Sequence, residues 1–286
     1  MNNKNSDILL RMENIDKKFP GVKALDGVSL TVKKGTVHAL MGENGAGKST
    51  LMKCLFGVYT KDSGKIFLEG REVSFRNSKE ALENGVAMVH QELNQALKRN
   101  VMENMWLGRF PTVSDFLPFT SEKKMYDETK KLLSELRINV DPKTVMAKMP
   151  VSQRQMVEIA KAVSYDSKII VFDEPTAMLD PRGRKDVMNI ITKLNKEMGK
   201  TVVLITHYMD EAAKADRVVV IDSGKIIADG KPSDVFNEVE LLKSVGLDVP
   251  QPTELIYKLK KAGVAFSEKV LHSDECIEAI SKALED

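Results

Sequence analysis

Cysteine and tryptophan are nearly missing from these 286 residues, with two of the first and one of the second. Cys54 and Cys276 are too few for a disulfide scaffold, so the expected compartment is a reducing one. Cys54 stands in "STLMKCLFG", where a small buried thiol is the expected reading. Long hydrophobic runs are lacking too: none approaches the roughly 18 residues that span a bilayer. A membrane is therefore expected to be reached through partners. The opening "MNNKNSDILLRMEN" lacks the apolar core of a signal peptide, and export is not expected. Nor does charge of one sign dominate. The 43 basic and 41 acidic residues leave a net charge of +2, which gives no support to nucleic-acid binding. The lysine-rich "SEKKMYDETKK" at 121–131 interleaves acids at helical spacing and reads as a solvated helix face. No internal repeat or low-complexity linker is present.

What is present alternates β-type runs with helical segments, the pattern of an α/β fold with a largely parallel sheet. "LLRMENI", "LDGVSLTV" and "GKIFLEG" alternate polar and apolar residues and read as an antiparallel layer. "TVHALMG" (36–42), "VAMVH" (86–90), "KIIVFD" (168–173), "TVVLIT" (201–206) and "RVVVID" (217–222) are short and nearly all apolar, as buried central strands are. Helices are expected at Lys48–Phe56, Pro181–Met198 and Tyr208–Ala215. Between Gln91 and Ser167 no strand-like run occurs, and a helical insertion over about residues 93–166 is expected. A last shift near Glu238 divides a 1–237 domain from a small 238–286 extension with a helix near 273–284.

"GENGAGKS" satisfies the phosphate-loop pattern G-x-x-x-x-G-K-[ST]. Gly42, Gly45 and Gly47 let the backbone curl with its N–H groups inward, and the loop feeds a helix N-terminus. Glu43, Asn44 and Ala46 fill the variable positions. Lys48 can reach the β- and γ-phosphates of a nucleoside triphosphate, the Ser49 hydroxyl can ligate Mg²⁺, and Thr50 can donate to the α-phosphate. An apolar strand before the loop and a helix after it supply the context the motif needs.

The strand 168–173 ends in "VFDEPT". A lone buried carboxylate is expensive, so Asp173 reads as an acid that holds Mg²⁺ through water. Glu174 is placed to polarise an attacking water as general base, with a structural ion pair as the other reading. Gln91 and His207 end buried strands in the same manner. Strand ends on one edge of a parallel sheet are where ligands collect. His90 and His272 read as structural.

With these motifs in order, the chain resembles an ABC-transporter ATPase subunit over residues 8–236. Walker A is 42–49, the Q-loop residue Gln91, the signature 149–153, Walker B 169–174, the "AMLD" D-loop 177–180 with Asp180, and the switch His207. The resemblance implies a P-loop NTPase with a RecA-like parallel-sheet core, an antiparallel β layer and an inserted α-helical subdomain. It implies ATP and Mg²⁺ as cofactors, with Ser49, Gln91 and Asp173 at the metal and Glu174, His207 and Gln91 in catalysis. The aromatic that stacks on adenine would fall on Phe19, which also reads as β-layer core. "GVKALDGVSL", "MVHQELN", "ENMWLGR" and "QMVEIAKA", within residues 8–176, resemble ribose, galactose and methyl-galactoside importer ATPases. From about Asp173, "DEPTAMLDPRGRKDVM" and "LITHYMDEAAKADRVVVIDSGKI" resemble energy-coupling-factor importer ATPases. The signature frame "MPVSQ" departs from Leu-Ser-Gly-Gly-Gln, with Pro150, Val151 and Ser152 where Ser-Gly-Gly would stand, followed by Gln153. Losing one good phosphate donor there costs on the order of 1.5–3 kcal/mol.

The resemblance implies a second ATPase subunit as partner, each ATP lying between one Walker A and the other's signature. Because such sugar-importer ATPases are tandem and this chain has one Walker A, the second half is expected in another subunit, and the weak signature favours a heterodimer over a homodimer. Integral membrane permeases and, indirectly, an extracytoplasmic solute-binding protein are the further expected partners, with the chain peripheral on the cytoplasmic face of the membrane. "NVMENMWLG" (100–108) is either the permease contact or helix core. The leading function is the hydrolytic motor of an importer of the galactose/ribose type. A vitamin or metal importer ATPase, a poorly hydrolysing regulatory subunit and a soluble non-transport ABC ATPase are the alternatives.

Overall fold

The structure, a computed structural model, describes residues 7–114, 117–266 and 268–285. The first six residues, on which part of the N-terminal reading rests, lie outside them. The chain begins with β1 (Ile8–Phe19), β2 (Val22–Lys33), β3 (Val37–Met41), α1 (Lys48–Leu55), β4 (Ser63–Leu68) and β5 (Arg71–Val73). It continues through α2 (Ser78–Glu83), β6 (Val86–Val89), α3 (Val101–Met105), β7 (Thr112–Ser114), β8 (Leu117–Thr120), α4 (Glu122–Glu135) and α5 (Val151–Val163). Then come β9 (Ile169–Asp173), α6 (Pro181–Lys196), β10 (Thr201–Ile205), α7 (Met209–Ala212), β11 (Arg217–Asp222) and β12 (Lys225–Gly230). Four helices close the chain: α8 (Pro232–Phe236), α9 (Val239–Ser244), α10 (Gln251–Lys261) and α11 (Ser273–Glu285). Two compact units result, Met1–Arg76 with Val203–Asp286, and Asn77–Val202.

In the first unit the expected antiparallel layer is a four-stranded sheet in the order β2-β1-β4-β5. Its alternation buries Leu10, Met12, Ile15, Leu25, Val28 and Leu30. In the same unit β3 lies parallel to β11, with Arg217 opposite His38 and Val220 opposite Met41, and β12 pairs antiparallel on the far side of β11. Every residue of Val218–Ile221 is buried, which is why this strand reads as an unbroken apolar run. Helices α8 and α9 cover it: Phe236, Val239, Leu242 and Leu247 join Ala39, Met41 and Val220 in one cluster. A smaller cluster of Ile256, Val270, Cys276 and Ala279 holds α10 to α11. Cys54 is buried in α1, and burial pushes its thiol up to about 11.

In the second unit β6 and β9 run parallel, Val86 opposite Ile169 and Val89 opposite Phe172. The lysine-rich helix α4 buries Met125, Thr129 and Leu133 on one face, the i, i+4, i+8 stripe that leaves its charges in water. α3 starts on a reciprocal capping box between Asn100 and Glu103. Val101, Met102 and Met105 of the 100–108 strip are buried and Leu107 is exposed, so its apolar content is mainly helix core.

Two expectations need correction. The 93–166 insertion is not free of strands: β7 and β8 form a short antiparallel hairpin, whose arms are too brief to show a period of two. The expected helix Tyr208–Ala215 is helical only over Met209–Ala212. Beyond it the amide bonds shorten to three-residue steps, Lys214 N–H to Glu211 and Ala215 N–H to Ala212, which tightens the chain into β11.

Candidate nucleotide site

β3 carries the chain to Gly42, and the next five residues turn it into α1. The glycines are required. Gly42 has φ 147° and Gly47 φ 112°, the region that favours residues without Cβ. A Cβ on Gly47 would lie 2.6 Å from the Ala24 carbonyl oxygen, and one on Gly42 would overlap that of Ile221. Gly45 faces open space. Gly47, which has no side chain, is the N-cap of α1, and a helix N-terminus favours an anion. Lys48 is 4% exposed, and its ammonium donates to the carbonyls of Gly42 (2.7 Å) and Glu43 (2.9 Å). The loop therefore holds one buried cation inside a ring of backbone dipoles, with Glu43, Asn44 and Gly45 on its outer side. These features fit a polyphosphate. Ser49 and Thr50 follow in the first turn of α1, both partly buried.

The β11–β12 turn braces this loop. Gly224 donates its N–H to the Ala46 carbonyl (2.9 Å) and accepts from Asp26 N–H (2.9 Å). β10 leaves the sheet on the same edge, since the Thr206 N–H reaches the Leu40 carbonyl, two residues before Gly42. His207 follows at once, exposed and tilted against the ring of Tyr208 at a centroid distance of 4.2 Å. Its loop is tied down by Thr206, which donates to Glu211 (2.7 Å) and accepts from Tyr208 N–H (3.0 Å). Glu211 is 2% exposed. Phe19 ends β1 partly buried, edge-on to Tyr59 with centroids 5.2 Å apart and with the Lys17 ammonium 5.5 Å from its ring.

The second unit carries the acids. Asp173 is the last residue of β9, 5% exposed, and Glu174 follows with φ 48°, a left-handed conformation that is costly for a side-chain-bearing residue. The register of β6 on β9 brings Gln91 beside it, and the Gln91 side-chain amide donates to the Glu174 carboxylate at 3.3 Å. Ala177 N–H bonds back to the Glu174 carbonyl (3.2 Å), which turns the chain toward Asp180. Asp180 is the N-cap of α6, accepting from Gly183 N–H at 3.0 Å. Pro150 is the N-cap of α5 and has no side-chain cap bond, so α5 starts only at Val151. Proline thus lies just ahead of the first helical turn, not inside it. The Ser152 Cβ lies 2.9 Å from where a Cβ on Gly183 would be, so the signature helix meets α6 at a glycine, and Gln153 follows partly buried.

Four participants carry no sequence signal. Glu211 and Thr206 hold the His207 loop, and Gly224 buttresses the phosphate loop; Tyr59, partner of Phe19, is also outside any motif. Among the described residues no group of three or more His, Cys, Asp and Glu is arranged to hold a metal ion, and no helix is long and apolar enough to cross a membrane.

A phosphate loop opening a helix, with an acid pair and a glutamine at parallel strand ends, defines an ATP-binding cassette. The chain belongs to the ABC transporter family, whose profile matches residues 25–177. It is 56% identical over 247 residues to the galactose/methyl galactoside import ATP-binding protein MglA of Clostridium perfringens, covering 86% of this chain and 47% of that one. Likeness to the Yersinia pestis protein of the same name is 49% over 263 residues, 89% of this chain and 51% of that one. The chain thus spans about half the length of these curated relatives. An alignment over 86% of the chain passes residue 176 wherever it begins, so the sugar-importer likeness continues beyond the motifs that first carried it. Among solved structures, a nucleotide-free ATP-binding cassette from an ABC transporter superposes with a TM-score of 0.73 at 30% identity, covering 83% of this chain and 97% of that one. The cbiO1 protein of Clostridium perfringens, part of the transporter complex cbiONQ, gives 0.70 at 29%, with coverages of 84% and 94%.

Proposed function

We propose that the chain is the ATP-binding and hydrolysing component of an ABC importer for a hexose of the galactose class. Its support lies in the pairing of Gln91 with Glu174 at 3.3 Å, which brings a carboxylate of the kind that serves as general base together with an amide that orients it. Gly42–Thr50 hold the nucleotide phosphates, with Lys48 exchanging its loop carbonyls for phosphate oxygens. Ser49, Gln91 and Asp173 offer the hydroxyl, amide and carboxylate oxygens that Mg²⁺ prefers. Bound MgATP supplies the anhydride whose hydrolysis drives transport. Glu174 accepts the proton of the attacking water, Gln91 orients that carboxylate, and His207 donates to the γ-phosphate end of the site. Phe19 offers an aromatic ring for adenine to stack on. The domain core is 1–237, with the 93–166 subdomain transmitting closure to membrane permeases and 238–286 as an extension. A second cassette completes the pair of ATP sites, and the chain sits on the cytoplasmic face of the membrane. The hexose assignment rests on what the similar proteins are named for.

ATPase rates of the chain with its permeases, compared with Glu174→Gln, test the motor. The variant is expected to bind ATP and fail to turn it over; a wild type equally slow would remove the motor reading. Uptake of labelled galactose or methyl galactoside in cells lacking the chain, with and without its restoration, tests the substrate. Unaltered uptake would exclude the galactose class.

One observation favours a second reading, a weakly hydrolysing regulatory component. The signature helix α5 begins after Pro150 with no side-chain cap, and that frame is what a cassette offers its partner's phosphate. Full ATPase activity with Pro150, Val151 and Ser152 in place would dismiss it.

A further inference from the structure

The C-terminal extension reaches the phosphate loop. After α9 the chain makes a tight turn, with Gly246 N–H bonded to the Lys243 carbonyl and Leu247 N–H to that of Leu242. Gly246 has φ +74°. A Cβ there would overlap the Glu43 carboxylate, 2.5 Å from its Cδ and 3.2 Å from its Cγ. The exposed Glu43 side chain therefore ends against the Gly246 turn, where the missing Cβ leaves room for its carboxylate. The turn is anchored from both sides: Leu242, Leu247 and Val249 are buried in the cluster that contains Ala39 and Met41 of β3, the strand that leads into the loop.

Glu43 is the loop's pivot as well. Its carbonyl accepts from the Lys48 ammonium at 2.9 Å and from Ala46 N–H at 3.1 Å. Its carboxylate is a negative charge in the loop that must receive a polyanion, and an unpaired like charge near a phosphate opposes binding. A turn without a Cβ lets this carboxylate rest against the tail, away from the peptide that faces Lys48.

The geometry points to Gly246 as a positioning residue for the phosphate loop, seating the Glu43 carboxylate against the 238–286 extension so that the loop receives nucleotide phosphate. The inference rests on the ATP-binding reading above and assigns the extension a part in it.

Affinity of the full chain for a fluorescent ATP analogue with Mg²⁺ tests it, in wild type, Gly246→Ala, Glu43→Ala and the double variant, with Lys48→Ala as the control. Residues in contact couple, so Gly246→Ala should weaken binding about tenfold, and Glu43→Ala should largely remove that effect. Backbone strain at φ +74° would act the same with or without the Glu43 side chain; equal losses in both backgrounds would overturn the inference, as would an unchanged Gly246→Ala. If Gly246→Ala does not fold, amide hydrogen exchange decides. Nucleotide should alter the protection of residues 243–249 in wild type but not in Glu43→Ala, and identical responses would again overturn it. A wild type that binds the analogue no better than Lys48→Ala would instead defeat the ATP-binding reading, and the inference with it.

Discussion

Gln91 and Glu174 stand 83 positions apart in the chain, yet the amide of one donates to the carboxylate of the other at 3.3 Å. The contact follows from strand register. Val89 lies opposite Phe172, so the two parallel strands release their next residues at the same edge. An uncharged donor orients the carboxylate without neutralising it, which a lysine or arginine in its place would do.

From that pairing, Glu174→Gln should keep nucleotide binding and lower turnover by at least about 100-fold, the range for loss of a general base. Gln91→Ala should lower turnover less, by about tenfold, because the general base remains while its orientation and one oxygen offered to Mg²⁺ are lost. Single-turnover hydrolysis beside a binding titration checks both. A Gln91→Ala loss as large as that of Glu174→Gln would mean that Gln91 itself does chemistry.

The φ of 48° at Glu174 has a separate outcome. Glycine adopts that conformation without strain, so Glu174→Gly should raise stability by about 1 kcal/mol while abolishing turnover. Thermal melting read alongside ATPase activity shows whether the two move in opposite directions.

The phosphate loop and the acid pair were legible in the sequence because their chemistry is local. A glycine at a fixed offset from a lysine, or an acid after five apolar residues, carries its reason within a few positions. The antiparallel layer was legible by its alternation. Glu211 was not, since its role depends on Thr206 five residues back turning a hydroxyl toward it after β10 ends. Nor was Gly246, whose need for a missing Cβ arises from Glu43, some 200 positions away. The β7–β8 hairpin escaped because three- and four-residue arms show no periodicity. In each case the missing information was a tertiary neighbour.

Thr206 and Glu211 give a test of how His207 is held. Thr206→Val removes the hydroxyl that donates to a carboxylate only 2% exposed, and it should cost about 1–3 kcal/mol of stability. Turnover should fall with it, because the same hydroxyl accepts from Tyr208 N–H beside His207. Thr206→Ser keeps the hydroxyl and should restore both. Rescue of stability without activity would separate the loop's packing from its function.

His38 sets an acid limit on stability. It is 2% exposed, and its ring Nε2 accepts from Lys33 N–H at 3.2 Å. Burial first, then the Arg217 guanidinium, push it down to about 4, against the opposing Asp216 and Asp229 carboxylates. A depressed histidine favours its neutral form in the folded state, so the unfolded chain binds the extra proton as pH falls. The stabilisation is complete above the ordinary value near 6.5 and is lost between there and about 4, amounting to about 3 kcal/mol. Urea unfolding at pH 7 and pH 4.5 should show the loss, and His38→Gln should flatten that pH dependence. An equal loss in the variant would place the sensitivity elsewhere.

The signature frame yields the last expectation. Pro150 occupies the N-cap of α5 with no side-chain acceptor for the first-turn N–H groups. Pro150→Ser supplies one and should stabilise the helix start by about 1 kcal/mol. If the frame also serves a partner's γ-phosphate, that hydroxyl has two claims on it: bonded to its own helix in the resting chain, it must turn outward when the two cassettes close. Pro150→Ser alone should therefore raise the melting temperature more than turnover. Pro150→Ser with Val151→Gly and Ser152→Gly should reverse that order, because glycine loosens the helix start while letting a phosphate approach its N–H groups. Melting temperature and steady-state ATPase of the assembled transporter, measured on both variants, distinguish a frame that binds phosphate from one that only begins a helix. In the second case the triple variant loses stability and gains no rate.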